Sequence, residues 1–187
     1  MPRRIWRKIS YAAAVAILAA LVTQIFEHLS APPPALSTFI RPDRSGDEIV
    51  AVFLVTRNCP AAQSGEFRSA LSEALSSVRE AARVKGVRSH FVGVMLSPNT
   101  AANRKFIVEL AAFDEIHVGP GWLGFGAITY FWRDLPGLAS VPQLVLLRRR
   151  IEVGAEGISV SPDSILFRLD DADAISRWAQ AGAPIEL

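Results

Sequence analysis

The sequence has little cysteine and little histidine, and it lacks several common catalytic motifs. One cysteine among 187 residues excludes an intrachain disulfide, a disulfide-stapled scaffold and a zinc ribbon. The three histidines, His28, His90 and His117, lie far apart without the spacing of metal ligands, so no metal site is predicted. There is no Gly-x-Ser-x-Gly elbow and no phosphate-binding loop, and we predict no bound cofactor.

Charge is also scarce over most of the chain. A fifth of the residues are charged and half are hydrophobic, which excludes an intrinsically disordered protein. Four of the 20 basic residues stand within the first eight positions, and the remaining 16 face all 18 acidic residues. The net charge of +2 therefore belongs to the N-terminus, and we predict no nucleic-acid partner.

The basic start is followed by a long apolar run. Residues 9–26 are apolar except for Ser10, Thr23 and Gln24, and 18 residues is the short end of a transmembrane helix. With basic residues before the run and Glu27 after it, the positive-inside rule puts the N-terminus in the cytoplasm. We predict a single-pass anchor in membrane lipid, with the rest of the chain extracytoplasmic (periplasmic).

The sequence therefore divides into four parts. We predict a basic cytoplasmic stretch at 1–8, a transmembrane anchor at 9–28, a proline-rich linker at 29–46 and a folded domain at 47–187. The alternative to the anchor is a cleaved signal peptide. Cleavage after Ala31 would need Leu29 and Pro32 at flanking positions, which makes a poor site.

The folded domain alternates short apolar runs with amphipathic stretches. The run at 49–55 is too short for a helix and predicts a strand that is buried on both faces. Phe67, Leu71, Leu75 and Val78 form one stripe of a helix. By such patterns we predict strands at 49–55, 87–96, 114–118 and 144–147, weaker strands at 158–160 and 165–169, and helices at 60–85, 97–113, 123–133 and from about 171. The order β-α-β-α-β-α-β-β-α predicts an α/β domain with a mixed sheet flanked by helices.

Two short motifs in this order resemble the thioredoxin superfamily. Cys59 follows the first strand, and Pro60 takes the first position of the next helix. Val141 and Pro142 directly precede the fourth main strand. The resemblance covers residues 47–182 and implies a thioredoxin-like sheet, an active-site cysteine at Cys59 and a cis-proline at Pro142. An ordinary turn proline is the alternative at that position.

The sequence departs from the family at the second cysteine. Cys59, Pro60, Ala61 and Ala62 stand where the family's oxidoreductases carry Cys-x-x-Cys. A helix N-terminus favours the thiolate, but without a resolving thiol the chain cannot act as a dithiol oxidoreductase by itself. Either Cys59 is a small apolar residue at a buried junction, or it is a single reactive thiol. Thr56 and Cys59 also match half of the peroxiredoxin signature, so a one-cysteine peroxidase stays open.

Two further features of the sequence are candidates for partner binding: an aromatic stretch and a run of arginines. Residues 122–132 carry more apolar surface than one helix face can bury, so part of them is predicted to face a partner. The sequence Gly-x-Gly-x-x-Gly at 119–124 is read as a glycine-rich turn instead of a dinucleotide site. Residues 148–150, all arginine, are predicted to form a solvated strand end. The candidate partner-binding residues are Val141, Pro142, Trp122, Phe125 and Trp132.

These features predict a membrane-anchored, extracytoplasmic thioredoxin-like domain that has lost its resolving cysteine. Its expected role is a non-catalytic accessory or assembly subunit of a larger membrane protein complex, of the respiratory, photosynthetic or envelope-biogenesis type. The alternative is monothiol exchange or one-cysteine peroxidase activity through Cys59.

Overall fold

The computed structural model describes residues 45–98, 100–119, 121–133 and 140–186. The predicted anchor at 9–28 and nearly all of the linker lie outside the described residues. In the part of the chain that is described, no helix has the length and apolar character needed to cross a membrane.

Six strands form one mixed sheet. They are β1 (Gly46–Val55), β2 (Arg88–Met95), β3 (Glu115–Val118), β4 (Gln143–Gly154), β5 (Gly157–Val160) and β6 (Ser164–Leu169). The strand order is β3-β2-β1-β4-β5, and β6 also pairs with β4. The first three strands are parallel, whereas β4 is antiparallel to β1, β5 and β6. The predicted mixed sheet is confirmed.

Four helices and one composite helical segment pack on this sheet. They are α1 (Pro60–Gln63), α2 (Gly65–Val84), α3 (Thr100–Leu110), α4 (Ala172–Gln180) and the aromatic segment, residues 121–133. The predicted single helix at 60–85 is broken at Ser64, whose Oγ accepts a hydrogen bond from the Phe67 N–H at 3.5 Å and so begins α2. Gly86 ends α2 with φ +67°, as predicted.

Both faces of β1 are buried, as its unbroken apolar run predicts. Ile49, Ala51, Phe53 and Val55 point to one side and join the cluster under α2, α3 and α4, which we call the helical face. Residues 50, 52 and 54 point to the other side and meet the aromatic segment, on what we call the aromatic face. This layered arrangement of helices on a mixed sheet fits a thioredoxin-like fold.

The aromatic segment is not the continuous helix predicted over 123–133. It consists of a 3-10 turn (Gly121–Leu123), a short α-helix (Phe125–Ala127) and a π-helix (Ile128–Arg133). Gly124 is the N-cap of the α-helical part and makes no side-chain capping hydrogen bond, but its carbonyl accepts from the Ile128 N–H at 3.0 Å. A Cβ on Gly126 would lie 2.8 Å from Val94 Cγ1, so only glycine lets the backbone pack this closely on the sheet.

Strand β4 has 12 residues where the sequence predicted a strand at 144–147, because it continues through residues 148–150 as far as Gly154. Their acidic partners stand opposite on β1: Glu48 pairs with Arg149, and Asp47 pairs with Arg148 and Arg150. The predicted strand end is wrong for all three arginines, which lie within β4. The predicted solvent exposure holds for Arg148 and Arg150 but is wrong for Arg149, which is buried. Pairing with a buried carboxylate explains why Arg149 lies inside.

Candidate functional site

The candidate site lies at the edge of the sheet where β1 and β2 end and β4 begins. Leu54 pairs with Gln143 across the β1–β4 ladder. The loop that carries Cys59 therefore leaves β1 at the edge where Pro142 introduces β4. The Val141–Pro142 peptide bond is cis, which confirms that prediction from the sequence.

Cys59 occupies the N-cap of α1, with Pro60 at the first helical position. Its N–H donates to the Thr56 carbonyl at 3.2 Å, and its side chain makes no capping hydrogen bond. The residue is only 7% exposed and belongs to the cluster of the helical face. Ala62, at the resolving position, is fully buried in the same cluster. The thiol therefore packs as a small apolar group with little access for a partner sulfur.

The loop before Cys59 is held by a network that the sequence did not reveal. The Arg57 N–H donates to Ser97 Oγ at 2.8 Å, and the Arg57 carbonyl accepts from Gln63 Nε2 at 3.0 Å. Asn103, which is fully buried, donates through Nδ2 to the Ser97 carbonyl at 2.5 Å. Ser97 and Asn103 lie 40 residues or more from Arg57, and no local pattern signals a contact of that separation.

The predicted partner-binding residues are only partly brought together. Trp122 and Val141 both pack against the cluster of the aromatic face. Trp132, 48% exposed, donates its indole N–H to the Trp122 carbonyl at 3.0 Å. Phe125 instead lies against the ring of His117, 5.5 Å between ring centroids. Leu123, which the sequence did not single out, is 76% exposed beside Trp122.

The structure joins two histidines that are remote in sequence. His90 on β2 and His117 on β3 both contact Glu115, with Nε2-to-carboxylate distances of 3.0 Å and 2.7 Å. The three side chains are 12–17% exposed. The two histidines are 27 residues apart in the sequence, and the parallel pairing of β2 and β3 brings them to one carboxylate. Among the described residues, no group of three or more potential ligands is arranged to hold a metal ion.

Burial and hydrogen bonding act in opposite directions on Glu115. Burial alone would raise the pKa of its carboxyl group, but the hydrogen bonds from His117 and His90, with their charges, outweigh it and hold the pKa at about 2. The folded-state pKa lies below the ordinary value of 4.5. The cluster therefore stabilises the fold fully above the unfolded-state pKa, and this stabilisation is lost as the pH falls through the folded-state value.

The Glu115→Gln variant should reveal this contribution. The wild type should be more stable than the variant by on the order of 3 kcal/mol at most near neutral pH. The difference should shrink as the pH falls from about 4.5 towards 2. Urea unfolding of the full chain in detergent, followed by tryptophan fluorescence at a series of pH values, measures it. A difference that does not change over this range would show that Glu115 is not held ionised by the histidines.

A groove of about 390 Å³ lies between the first turns of α2 and the length of α4. Its lining includes Phe67, Glu66, Asp173 and Arg177. Cys59 is not among the residues that line it. The groove therefore does not include the thiol of Cys59, although Ala61 and Ser64 line it.

The sheet and its helices form a mixed α/β domain that fits a thioredoxin-like fold. A search of solved structures finds a secreted Mycobacterium tuberculosis disulfide oxidoreductase homologous to Escherichia coli DsbE, known at 1.1 Å resolution. The two chains are 17% identical with a TM-score of 0.34, over 71% of this chain and 81% of that one. A likeness this distant carries no argument about function. No protein-family model matches the chain, and no curated protein matches it.

Proposed function

We propose that the protein is a membrane-anchored thioredoxin-like binding domain that serves as a non-catalytic accessory or assembly subunit of a larger membrane protein complex. The observation that carries this proposal is the state of the candidate site. Cys59 is 7% exposed, and a fully buried Ala62 stands where a resolving cysteine would be.

The chemistry of thiol exchange supports a binding role over a catalytic one. Exchange needs a thiolate that reaches a disulfide sulfur, and release of the mixed disulfide needs a second thiol. The chain has one cysteine, so release would depend on an external thiol. Burial of Cys59 in the apolar cluster further limits the first step.

The aromatic segment supplies the proposed binding surface. Leu123 and Trp132 are the two exposed large apolar side chains of this segment, and Trp132 is fixed by its hydrogen bond to the Trp122 carbonyl. A rigid tryptophan with an apolar neighbour is the type of side chain that dominates the affinity of protein interfaces. Val141 is half-buried against the same cluster as Trp122 and would extend the surface, whereas Pro142 is buried and would act only by shaping the backbone.

The proposed location follows from the sequence. The basic residues at 1–8 and the predicted transmembrane segment at 9–28 would anchor the chain in the lipid bilayer with a cytoplasmic N-terminus. The linker at 29–46 would then hold the domain in the periplasm. A partner of this domain would therefore be another membrane or periplasmic protein.

The proposal predicts which side chains of this protein are needed for partner binding, and substitutions test it. In complexes isolated from gently solubilised membranes, Cys59→Ser should retain the same partner proteins as the wild type. Trp132→Ala combined with Leu123→Ala should lose them, with an affinity reduction of roughly tenfold or more. Val84→Ala, at another exposed apolar position (71%), is the matched control and should retain them.

Loss of function in Cys59→Ser, with no effect of the Trp132→Ala and Leu123→Ala double variant, would favour the second candidate function. That function is monothiol exchange or a one-cysteine peroxidase. The observation in its favour is the position of Cys59 at the N-cap of α1, where a helix N-terminus favours a thiolate. Under that function Cys59→Ser would abolish activity, and the native thiol would react rapidly with iodoacetamide or form a sulfenic acid with peroxide. A thiol that reacts only after urea unfolding would exclude this candidate.

A further inference from the structure

His117 on β3 contacts both the Glu115 carboxylate and the aromatic segment. Its Nε2 lies 2.7 Å from Glu115 Oε1. Its ring centroid lies 5.5 Å from that of Phe125 and 6.4 Å from that of Tyr130. A Cβ on Gly126 would lie 2.9 Å from His117 Cβ, so the backbone of the segment packs directly on this residue. A change in the charge of His117 therefore acts on the aromatic segment.

The charged and titratable groups that face His117 come from β2, β3 and the aromatic segment. On β2, His90 shares the Glu115 carboxylate at 3.0 Å, and Arg88 stands two residues before His90 on the same face. The aromatic segment contributes Tyr130, a phenol that is neutral at physiological pH. Glu115 is the single acidic residue of these three elements, and its pKa of about 2 keeps it ionised there. Of these groups, the histidines are the ones that change charge between about pH 5 and 8.

Protonation of His117 strengthens both of its contacts. The contact with Glu115 becomes a charge-assisted hydrogen bond, which is about twice as strong as a neutral one. A cation within about 6 Å of a ring centroid is also attracted to the ring, and the Phe125 ring lies within that distance. Both effects favour the packed state of the segment. The added stability is therefore present at mildly acidic pH and is lost as the pH rises through the range in which histidine releases its proton.

The segment that packs on His117 also carries the proposed binding surface. Leu123 ends the 3-10 turn and Trp132 lies in the π-helix, and Phe125 and Gly126 stand between them in the chain. A surface that is ordered before association loses less conformational entropy on binding. Firmer packing on His117 therefore favours binding through Leu123 and Trp132.

We propose that His117 is a pH-sensitive support of the aromatic segment, and that its protonation strengthens partner binding through Leu123 and Trp132. The effect on binding rests on the proposed function, whereas the effect on the segment does not. The folded domain then binds its partner more tightly in mildly acidic than in mildly alkaline surroundings.

Hydrogen–deuterium exchange of the full chain in detergent tests the support itself. Exchange of residues 121–133, corrected for the intrinsic effect of pH, should be roughly fivefold slower at about pH 5.5 than at about pH 7.5 in the wild type. His117→Gln keeps a hydrogen-bond donor without a charge and should remove this difference, and Glu115→Gln, which lacks the counter-charge, should reduce it. His90→Gln is the matched control and should retain it. The same difference in wild type and His117→Gln would overturn the proposal, and so would its loss in His90→Gln alone.

Partner retention distinguishes this proposal from the proposed function. Complexes from gently solubilised membranes are washed at the same two pH values. The wild type should keep more partner at the lower pH, and His117→Gln should keep equal amounts at both. Equal retention by the wild type would overturn the effect of pH on binding and leave the proposed function intact. If the Trp132→Ala and Leu123→Ala double variant keeps the partner, the proposed function and the effect on binding both fail, and the exchange result alone decides the role of His117.

Discussion

Replacing Glu48 with glutamine should destabilise the protein by about 3–5 kcal/mol, because it leaves a buried arginine without its counter-charge. Glu48 Oε2 accepts a hydrogen bond from Arg149 Nε at 2.6 Å, and the two side chains are only 9% and 8% exposed. Arg88 lies 3.9 Å from the other carboxylate oxygen. The variant would keep the shape of Glu48 and lose its charge, so the effect would report electrostatics and not packing.

Two further variants test whether the loss of stability comes from the buried charge of Arg149 or from any change to the charged residues of the sheet. Asp47→Asn removes the neighbouring carboxylate, whose arginine partners are exposed, and should cause a much smaller loss. Glu48→Leu with Arg149→Met removes both buried charges and should recover most of the stability. Urea unfolding of the full chain in detergent measures all of them. A Glu48→Gln variant as stable as Asp47→Asn would mean that solvent already screens the pair.

Replacing Phe53 with alanine should cost about 3–5 kcal/mol through the cavity it leaves. Phe53 is fully buried at the middle of β1 and contacts two other rings, Phe67 at 6.2 Å and Phe113 at 6.3 Å between centroids. Its neighbour across the ladder is Gly93. A Cβ on Gly93 would lie 2.8 Å from Ile107 Cδ1, so the space beside Phe53 is already filled and offers little room for collapse.

The matched variants for this prediction change size without changing polarity. Phe53→Leu should cost less than Phe53→Ala, because it leaves a smaller cavity. Leu123→Ala, at a side chain that is 76% exposed, should have almost no effect. The same unfolding measurement compares the three. If Phe53→Ala were as mild as Leu123→Ala, the layer of α2 and α3 would not be packed on β1 as described.

Local sequence patterns predicted most of the strands and helices of the domain. The apolar run of β1 required burial on both faces, and both faces are covered. The stripe from Phe67 to Val78 is the buried side of α2. Asp171 caps α4, accepting a hydrogen bond from the Ala174 N–H at 2.6 Å. Each of these features depends on residues close together in the chain, and sequence patterns describe such neighbourhoods well.

The features that sequence reasoning missed all depend on distant partners. The burial of Arg149 depends on Glu48, which lies 101 residues away. His90 and His117 meet only because β2 and β3 are neighbours. The extension of β4 into the hairpin was hidden because arginines interrupt its apolar pattern. For the candidate site, the sequence suggested Cys59 and Pro142 as candidates, but the burial of the thiol could come only from the packing around it.

The charged row of the sheet also bears on how the chain avoids misfolding. Arg88, Glu48 and Arg149 lie side by side on β2, β1 and β4. An apolar strand such as β1 has no alternation of polar and apolar residues, so hydrophobicity alone would accept several alignments of its neighbours. A slip of β4 by one residue would turn Arg149 into the apolar cluster on the helical face. The charged row thus raises the free energy of structures in which β4 is shifted along β1, and this selection of one strand register is its main contribution to folding.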